Sequence, residues 1–159
     1  AANKYPVVIV FFHGGAEGEL QTHVTKKNEY YIGENRGNVY SFAHTAIDAG
    51  ADLVLGSGPH VVRGIEKYND RLIVYSAGNF LTSKGLRGTC LLGKGAIFNI
   101  VVDKNGLLKN LSIISTSGKI KNVVSEDLTN SALKKIIKLT EQDFGQILTT
   151  DHKGNIVFN

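Results

Sequence analysis

The 159-residue chain has no methionine, a single cysteine, and no apolar run that approaches the length of a membrane-crossing helix. A helical span needs roughly 18 or more consecutive apolar residues, so none is expected here. The lone Cys90 excludes a disulfide within the chain and leaves the redox compartment open. A small packing or loop residue is its expected role. The lack of methionine fits a processed piece of a longer protein, and equally a chain whose initiator has been removed. Ala1-Ala2-Asn3-Lys4 leads straight into a strand-like run, without the charged, apolar and small-residue order of a signal peptide. Any export signal or anchor is therefore expected to have been removed or never to have been there. A Walker-type glycine loop, a GxSxG nucleophile elbow, internal repeats and low-complexity tracts are absent as well.

Hydrophobic residues make up 42% of the chain and charged residues 20%, the balance of a globular protein. At this length one domain buries roughly 70% of the surface its unfolded chain exposes. The net charge is +4, but Lys104, Lys109, Lys119, Lys121, Lys134, Lys135 and Lys138 are dispersed and carry few interleaved aromatics. They read as a solvated surface and not as a nucleic-acid face.

Val7 to Phe12 is a continuous β-branched and aromatic run, expected as a strand buried on both faces. It ends in His13-Gly14-Gly15-Ala16-Glu17, where two glycines let the backbone turn and admit a ligand closely. An imidazole with a carboxylate four residues on suits a metal ligand and its supporting partner, although His-Gly-Gly alone also fits a satisfied structural histidine. Gln21 to Gly37 is polar and reads as a long loop or short irregular helix beside the site, with His23 at the surface. Asn38 to Ala49 is expected to be a helix. Asn38 would cap it, Val39, Phe42, Ala43, Ala46 and Ile47 would form one apolar stripe, and Gly50 would close it. His44 lies off that stripe and reads as a surface or loop-contact residue.

Ala51 to Leu55 returns to the sheet. A strand, helix and strand in about 50 residues form a βαβ unit, whose strands are parallel. His13 and the following Gly56-Ser57-Gly58-Pro59-His60-Val61 turn then lie at the same edge, past the carboxyl ends of neighbouring strands, where open α/β sheets bind ligands. Arg63 to Tyr68 reads as an outward strand, Asn69-Asp70 as a turn, and Leu72 to Tyr75 as a buried strand. That strand ends in Ser76-Ala77-Gly78-Asn79, and Asn79 either holds a loop or faces a ligand. Thr82 to Lys94 is loop-like. Gly95 to Val102 and Leu107 to Ser115 form a hairpin around Asn105-Gly106. Ser131 to Leu139 is a helix, with a further short helix expected from Thr140 to Asp143, a turn at Asp151 to Asn155 and a last strand at Ile156 to Phe158.

The order His13-Gly-Gly-Ala-Glu17, Phe42-Ala43 through Ile47-Asp48-Ala49-Gly50-Ala51-Asp52, Gly56-Ser-Gly-Pro-His60-Val61 and Tyr75-Ser76-Ala77-Gly78-Asn79-Phe80 resembles the bacterial capsule-synthesis CapA family, also called PgsA-like after poly-γ-glutamate synthesis. The four motifs cover residues 7 to 80, and Leu128 to Phe158 resembles the family's end more weakly. The resemblance implies a calcineurin-like metallophosphoesterase fold, an α/β/β/α sandwich of mixed sheets around a two-metal site. It implies His13 and His60 as ligands of a divalent metal of the Mn, Fe, Zn or Mg type. It also implies Glu17 and His60 as catalytic residues, and Gly14, Gly15, Ser57, Gly58 and Asn79 as binding residues. Ser57 and Gly58 depart from the family motif, which has a second histidine there, so the metal site is expected to be incomplete. The Gly-Asp, Asn-Leu-Glu and Asn-Asn-His motifs that the family implies do not occur before Val7. Residues 1–159 are therefore expected to be one partial domain, the C-terminal half, with the missing half or a second chain covering a sheet edge.

Two functions of different class follow from the resemblance. One is a metal-dependent hydrolase or transferase acting on a phosphoester or polyanionic envelope polymer, with this piece alone inactive. The other is a non-catalytic polymer export, anchoring or binding protein with a degenerate site. Both imply the cell envelope or an extracytoplasmic compartment.

Overall fold

The computed structural model of the chain describes residues 4–81, 91–119 and 123–159. Its elements run β1 (Ile9–His13), β2 (Glu29–Tyr31), β3 (Glu34–Gly37), α1 (Val39–Asp48), β4 (Leu53–Ser57), β5 (Ile65–Tyr68), β6 (Arg71–Val74), β7 (Lys94–Val102), β8 (Leu108–Lys119), β9 (Val123–Glu126), α2 (Ser131–Phe144), β10 (Leu148–Thr150) and β11 (Ile156–Phe158). Cys90, Lys121 and most of the loop expected from Thr82 onward lie outside the described residues.

The first half builds a four-stranded sheet of order β1-β4-β6-β5. β1, β4 and β6 are parallel, and β5 returns antiparallel through a tight turn at Asn69-Asp70, both of which take positive φ. The βαβ reading thus holds, and β1 and β4 are direct neighbours with His13 opposite Ser57. Asn38 caps α1 by accepting the Ser41 N–H at 3.0 Å, as its short polar side chain predicts. Alternation along the central strands splits the core between two faces. Val54, Ile73 and Tyr75 pack with Val39, Ala43 and Ile47 of α1. Leu53, Leu72 and Val74 pack with Leu111 and Ile113 of β8 and Ala132 and Ile136 of α2. The fold is mixed α/β, with several sheets and two α-helices among the described residues.

Four expectations need correcting. β1 is not buried on both faces: Ile9 and Phe11 are 57% and 71% exposed. β1 is an edge strand, so the face it shares with Leu53 and Leu55 runs out beyond the second sheet, which has the order β7-β8-β9. The polar stretch 21–37 holds the hairpin β2–β3, with Ile32 and Gly33 at positive φ in its turn, which polar composition alone concealed. No new helix begins at Thr140. α2 runs on to Phe144 because Leu139 is fully buried, Phe144 stacks on Tyr75 at 5.2 Å, and the Thr140 hydroxyl accepts the Ile65 N–H at 2.9 Å. β9 and β10 were not anticipated either; both are short, at four and three residues. The far end of α2 is tied back to the N-terminal loop, since Asp143 accepts the Val24 N–H at 2.9 Å and pairs with His23 at 2.6 Å.

α2 starts at Asn130, whose side chain makes no cap. Asp127 does that work from three residues upstream. Its carboxylate accepts from the Thr129 N–H and hydroxyl and from the Ser131 N–H and hydroxyl, and it pairs with Lys94 at 3.1 Å. The Ser131 and Thr129 hydroxyls, ahead of Lys94, hold its carboxyl well below the usual carboxylate range. A depressed folded pKa contributes stability that is complete above the unfolded value of about 4 and is lost as pH falls toward the folded one. The unfolding free energy of the wild type should therefore exceed that of Asp127→Asn by a constant amount above about pH 5. The gap should close on acidification in urea titrations at stepped pH.

Candidate functional site at the strand ends

The parallel pairing of β1 and β4 places both of their following loops at one end of the sheet. The loops are also stitched together. Gly14 N–H donates to the Ser57 carbonyl at 2.9 Å, and Gly18 N–H to the Pro59 carbonyl at 3.1 Å. Gly58 takes φ +122°, and a Cβ there would stand 2.5 Å from the Gly14 carbonyl oxygen, so only glycine permits this approach. Past it, His60 sits at φ +61°, a left-handed conformation that costs a non-glycine residue about 1–2 kcal/mol.

That backbone aims His60 between two partners. Its Nδ1 lies 2.8 Å from Asn79 Oδ1, and its Nε2 lies 3.5 Å from Glu17 Oε2. The Asn79 amide nitrogen donates to the Leu92 carbonyl at 3.0 Å, which fixes the amide's orientation and leaves Oδ1 to accept the His60 Nδ1–H. In neutral His60 the lone pair is therefore on Nε2, facing the Glu17 carboxylate. The other Glu17 oxygen pairs with Arg36 at 3.0 Å. His13 makes a separate pair, its Nδ1 3.0 Å from the Ser57 hydroxyl. Between β1 and α1, beside His13, lies a cleft of about 260 Å³ walled by Phe12, Val39 and Phe42, with Arg36 on its rim.

The structure thus brings Glu17, His60 and Asn79 together, sets His13 on Ser57, and uses Gly14 and Gly58 to join the loops, while the Gly15 N–H donates to the Arg36 carbonyl of β3 at 2.9 Å. Among the described residues, no three His, Cys, Asp or Glu side chains stand close enough to hold a metal ion. The two imidazoles occupy different pairs, and the one carboxylate is already neutralised by Arg36. This donor set does not complete a two-metal centre.

Sequence reasoning missed the support beneath the site. Arg63 is fully buried and grips both Glu29 oxygens, at 3.0 and 2.7 Å, while donating to the Gln21 carbonyl at 2.9 Å. Glu29 in turn accepts the Ala16 N–H at 2.7 Å. This ion pair fastens the hairpin β2–β3 and the His13–Glu17 loop to the chain after His60. The available signal was a lone arginine inside the apolar run Val61-Val62-Arg63-Gly64-Ile65. His44 was also undervalued. It reaches Glu66 at 2.9 Å between the rings of Tyr40 and Tyr68, and Glu66 also accepts the Tyr75 hydroxyl at 2.7 Å. Burial, then the Glu66 charge, raises the Tyr75 phenol far above its ordinary value, so it serves as a permanent donor.

The family model described as bacterial capsule synthesis protein PGA_cap matches residues 1–84, which contain every residue of this site except Leu92. The more weakly resembling tail from Leu128 lies outside that match. Among curated proteins, the PGA biosynthesis protein CapA of Bacillus subtilis (strain 168) is 41% identical over 64 residues, 40% of this chain and 16% of that protein. The capsule biosynthesis protein CapA of Bacillus anthracis is 40% identical over 45 residues, 28% of this chain and 11% of that protein. An uncharacterized protein, y4sH of Sinorhizobium fredii (strain NBRC 101917 / NGR234), is 58% identical over 40 residues, 25% of this chain and 9% of its own. The matched segments thus cover well under a fifth of these relatives' lengths. With more than half of its residues inside the family match, the chain belongs to the bacterial capsule synthesis protein PGA_cap family.

Proposed function

We propose that the chain forms one wall of the working site of an envelope protein that makes or processes a capsule-type polymer such as poly-γ-glutamate. The observation that carries this reading is the clamped His60. Asn79 fixes its Nδ1–H, and Nε2 is presented as a base beside Glu17. In a hydrolase or transferase acting on a phosphoester or peptide-like bond, His60 would accept and return a proton at Nε2, with Glu17 stabilising the imidazolium. The β1-β4-β6-β5 sheet and the β7-β8-β9 sheet would be the inner pair of a metallophosphoesterase-like sandwich. The uncovered face of β1 would receive a further segment or partner, which would supply the second wall. A divalent cation, if held there, would use His13 together with donors from that second wall, and would supply an activated water.

A second reading, a polymer-binding or export component, is favoured by the Ser57 hydroxyl standing where a further donor would be needed. The two readings separate in one assay. A protein carrying both walls should turn over a phosphoester or poly-γ-glutamate, and His60→Ala should lower the rate by about 10²-fold or more. Undiminished turnover in that variant sinks the enzyme reading. The 159-residue chain alone should give no turnover of p-nitrophenyl phosphate, and activity there would refute the shared site.

A further inference from the structure

Arg63 touches all three segments that carry His60, its clamp and its carboxylate. It follows His60 in the same stretch of chain. Its backbone N–H donates to the Ser76 carbonyl at 3.1 Å, and Val62 and Ala77 form an antiparallel bridge, which sets the segment leading to Asn79. Its side chain crosses to the loop of Glu17. There it donates to the Gln21 carbonyl at 2.9 Å and the Ala16 carbonyl at 3.4 Å, and it grips Glu29, which accepts the Ala16 N–H at 2.7 Å. We propose that Arg63, paired with Glu29, is a positioning residue of the site, which sets Glu17 against His60. The proposal rests on the reading of His60 and Glu17 as the pair that works on substrate.

Stability alone does not call for two charges here. A buried ion pair gains little over apolar residues of the same volume, because both ions must leave water. Apolar residues, however, could neither accept the Ala16 N–H nor donate to the Gln21 carbonyl. Those backbone groups would turn toward water, since a buried amide without a partner is costly. Ala16 precedes Glu17, so the carboxylate would move with it. The packing at this point leaves no slack. Gly15 takes φ +86°, and a Cβ there would stand 3.0 Å from Glu29 Oε2 and 3.1 Å from Arg63 Nη1. The hairpin holds the same loop twice more, through the Gly15 N–H on the Arg36 carbonyl at 2.9 Å and through Arg36 on Glu17 at 3.0 Å. Arg63 is what fixes this hairpin-and-loop unit relative to His60.

The test compares the 159-residue wild type with the double exchange Glu29→Leu/Arg63→Met by NMR. The informative amide is Gly18, which donates to the Pro59 carbonyl at 3.1 Å and touches neither exchanged side chain. Its hydrogen exchange should accelerate roughly 10- to 100-fold more than that of Val54 and Ile73 in the central strands. The nuclear Overhauser contact between the His60 ring and the Glu17 side chain should be lost. A pair that serves stability alone would speed all three amides by one factor and keep that contact, and this result overturns the proposal. Arg63→Lys keeps a positive charge beside Glu29 but lacks the fork, so it serves if the double exchange does not fold. It should lose the His60–Glu17 contact too, and retention of the contact there overturns the proposal as well. In a protein carrying both walls, the variants should lower kcat about 10²-fold with KM little changed. Lost contact with undiminished turnover would bear out the positioning and sink the enzyme reading, so the two fail separately.

Discussion

Replacing Glu29 with alanine should destabilise the protein by about 3–5 kcal/mol, because it leaves a buried guanidinium without its carboxylate. Arg63 has no exposed surface, and both arms of its fork end on Glu29, at 3.0 and 2.7 Å. The same carboxylate holds the Ala16 N–H, so the variant also releases the loop that carries Glu17. Arg63→Ala should cost a similar amount, since it strands the carboxylate in turn. Exchanging both partners for apolar residues of similar volume, Glu29→Leu with Arg63→Met, should cost much less than either alanine variant, since neither charge then lacks a partner. Guanidinium unfolding of the wild type, Glu29→Leu, Arg63→Met and the double exchange, which together form a double-mutant cycle, checks this alongside the alanine variants. A double exchange as costly as the sum of the single ones would show that the two residues act independently.

The second large effect is expected at Ile136. Its side chain is fully buried in the cluster where α2 meets Leu53, Leu72 and Val74 of the first sheet and Leu111 and Ile113 of the second. Ile136→Ala removes atoms from the middle of this packed cluster and leaves a cavity, and it should cost about 2–5 kcal/mol. For a domain of this size each kcal/mol lowers the melting temperature by about 2–4 °C. The urea midpoint should fall with an unchanged slope, whereas a changed slope would mean that the variant no longer unfolds in one step.

The part of this fold that was legible from sequence is the part written in local pattern. Asn38 and Gly50 bracket α1, Asn105-Gly106 turns a hairpin, and the run–helix–run from Val7 to Leu55 dictates parallel β1 and β4. Pattern also put His13 and His60 at one end of the sheet. It did not report what each side chain would meet there. Partners such as Arg36 for Glu17, Glu29 for Arg63 and Glu66 for His44 lie on other elements, and only tertiary packing selects them. β1 misled for a related reason. A VVIVFF run states a preference for burial, but whether anything covers the strand depends on what stands beside it.

The tie between the start and the end of the chain has a consequence for motion. Val24 and Asp143 are 119 residues apart in sequence, yet the Val24 amide donates to the Asp143 carboxylate at 2.9 Å on the last turn of α2. That amide can exchange with solvent only when the end of α2 has come away. Its deuterium uptake should therefore follow the amides of α2 and not those of the polar loop around it, and the loop beside the site opens as one cooperative unit with a helix from the other end of the chain.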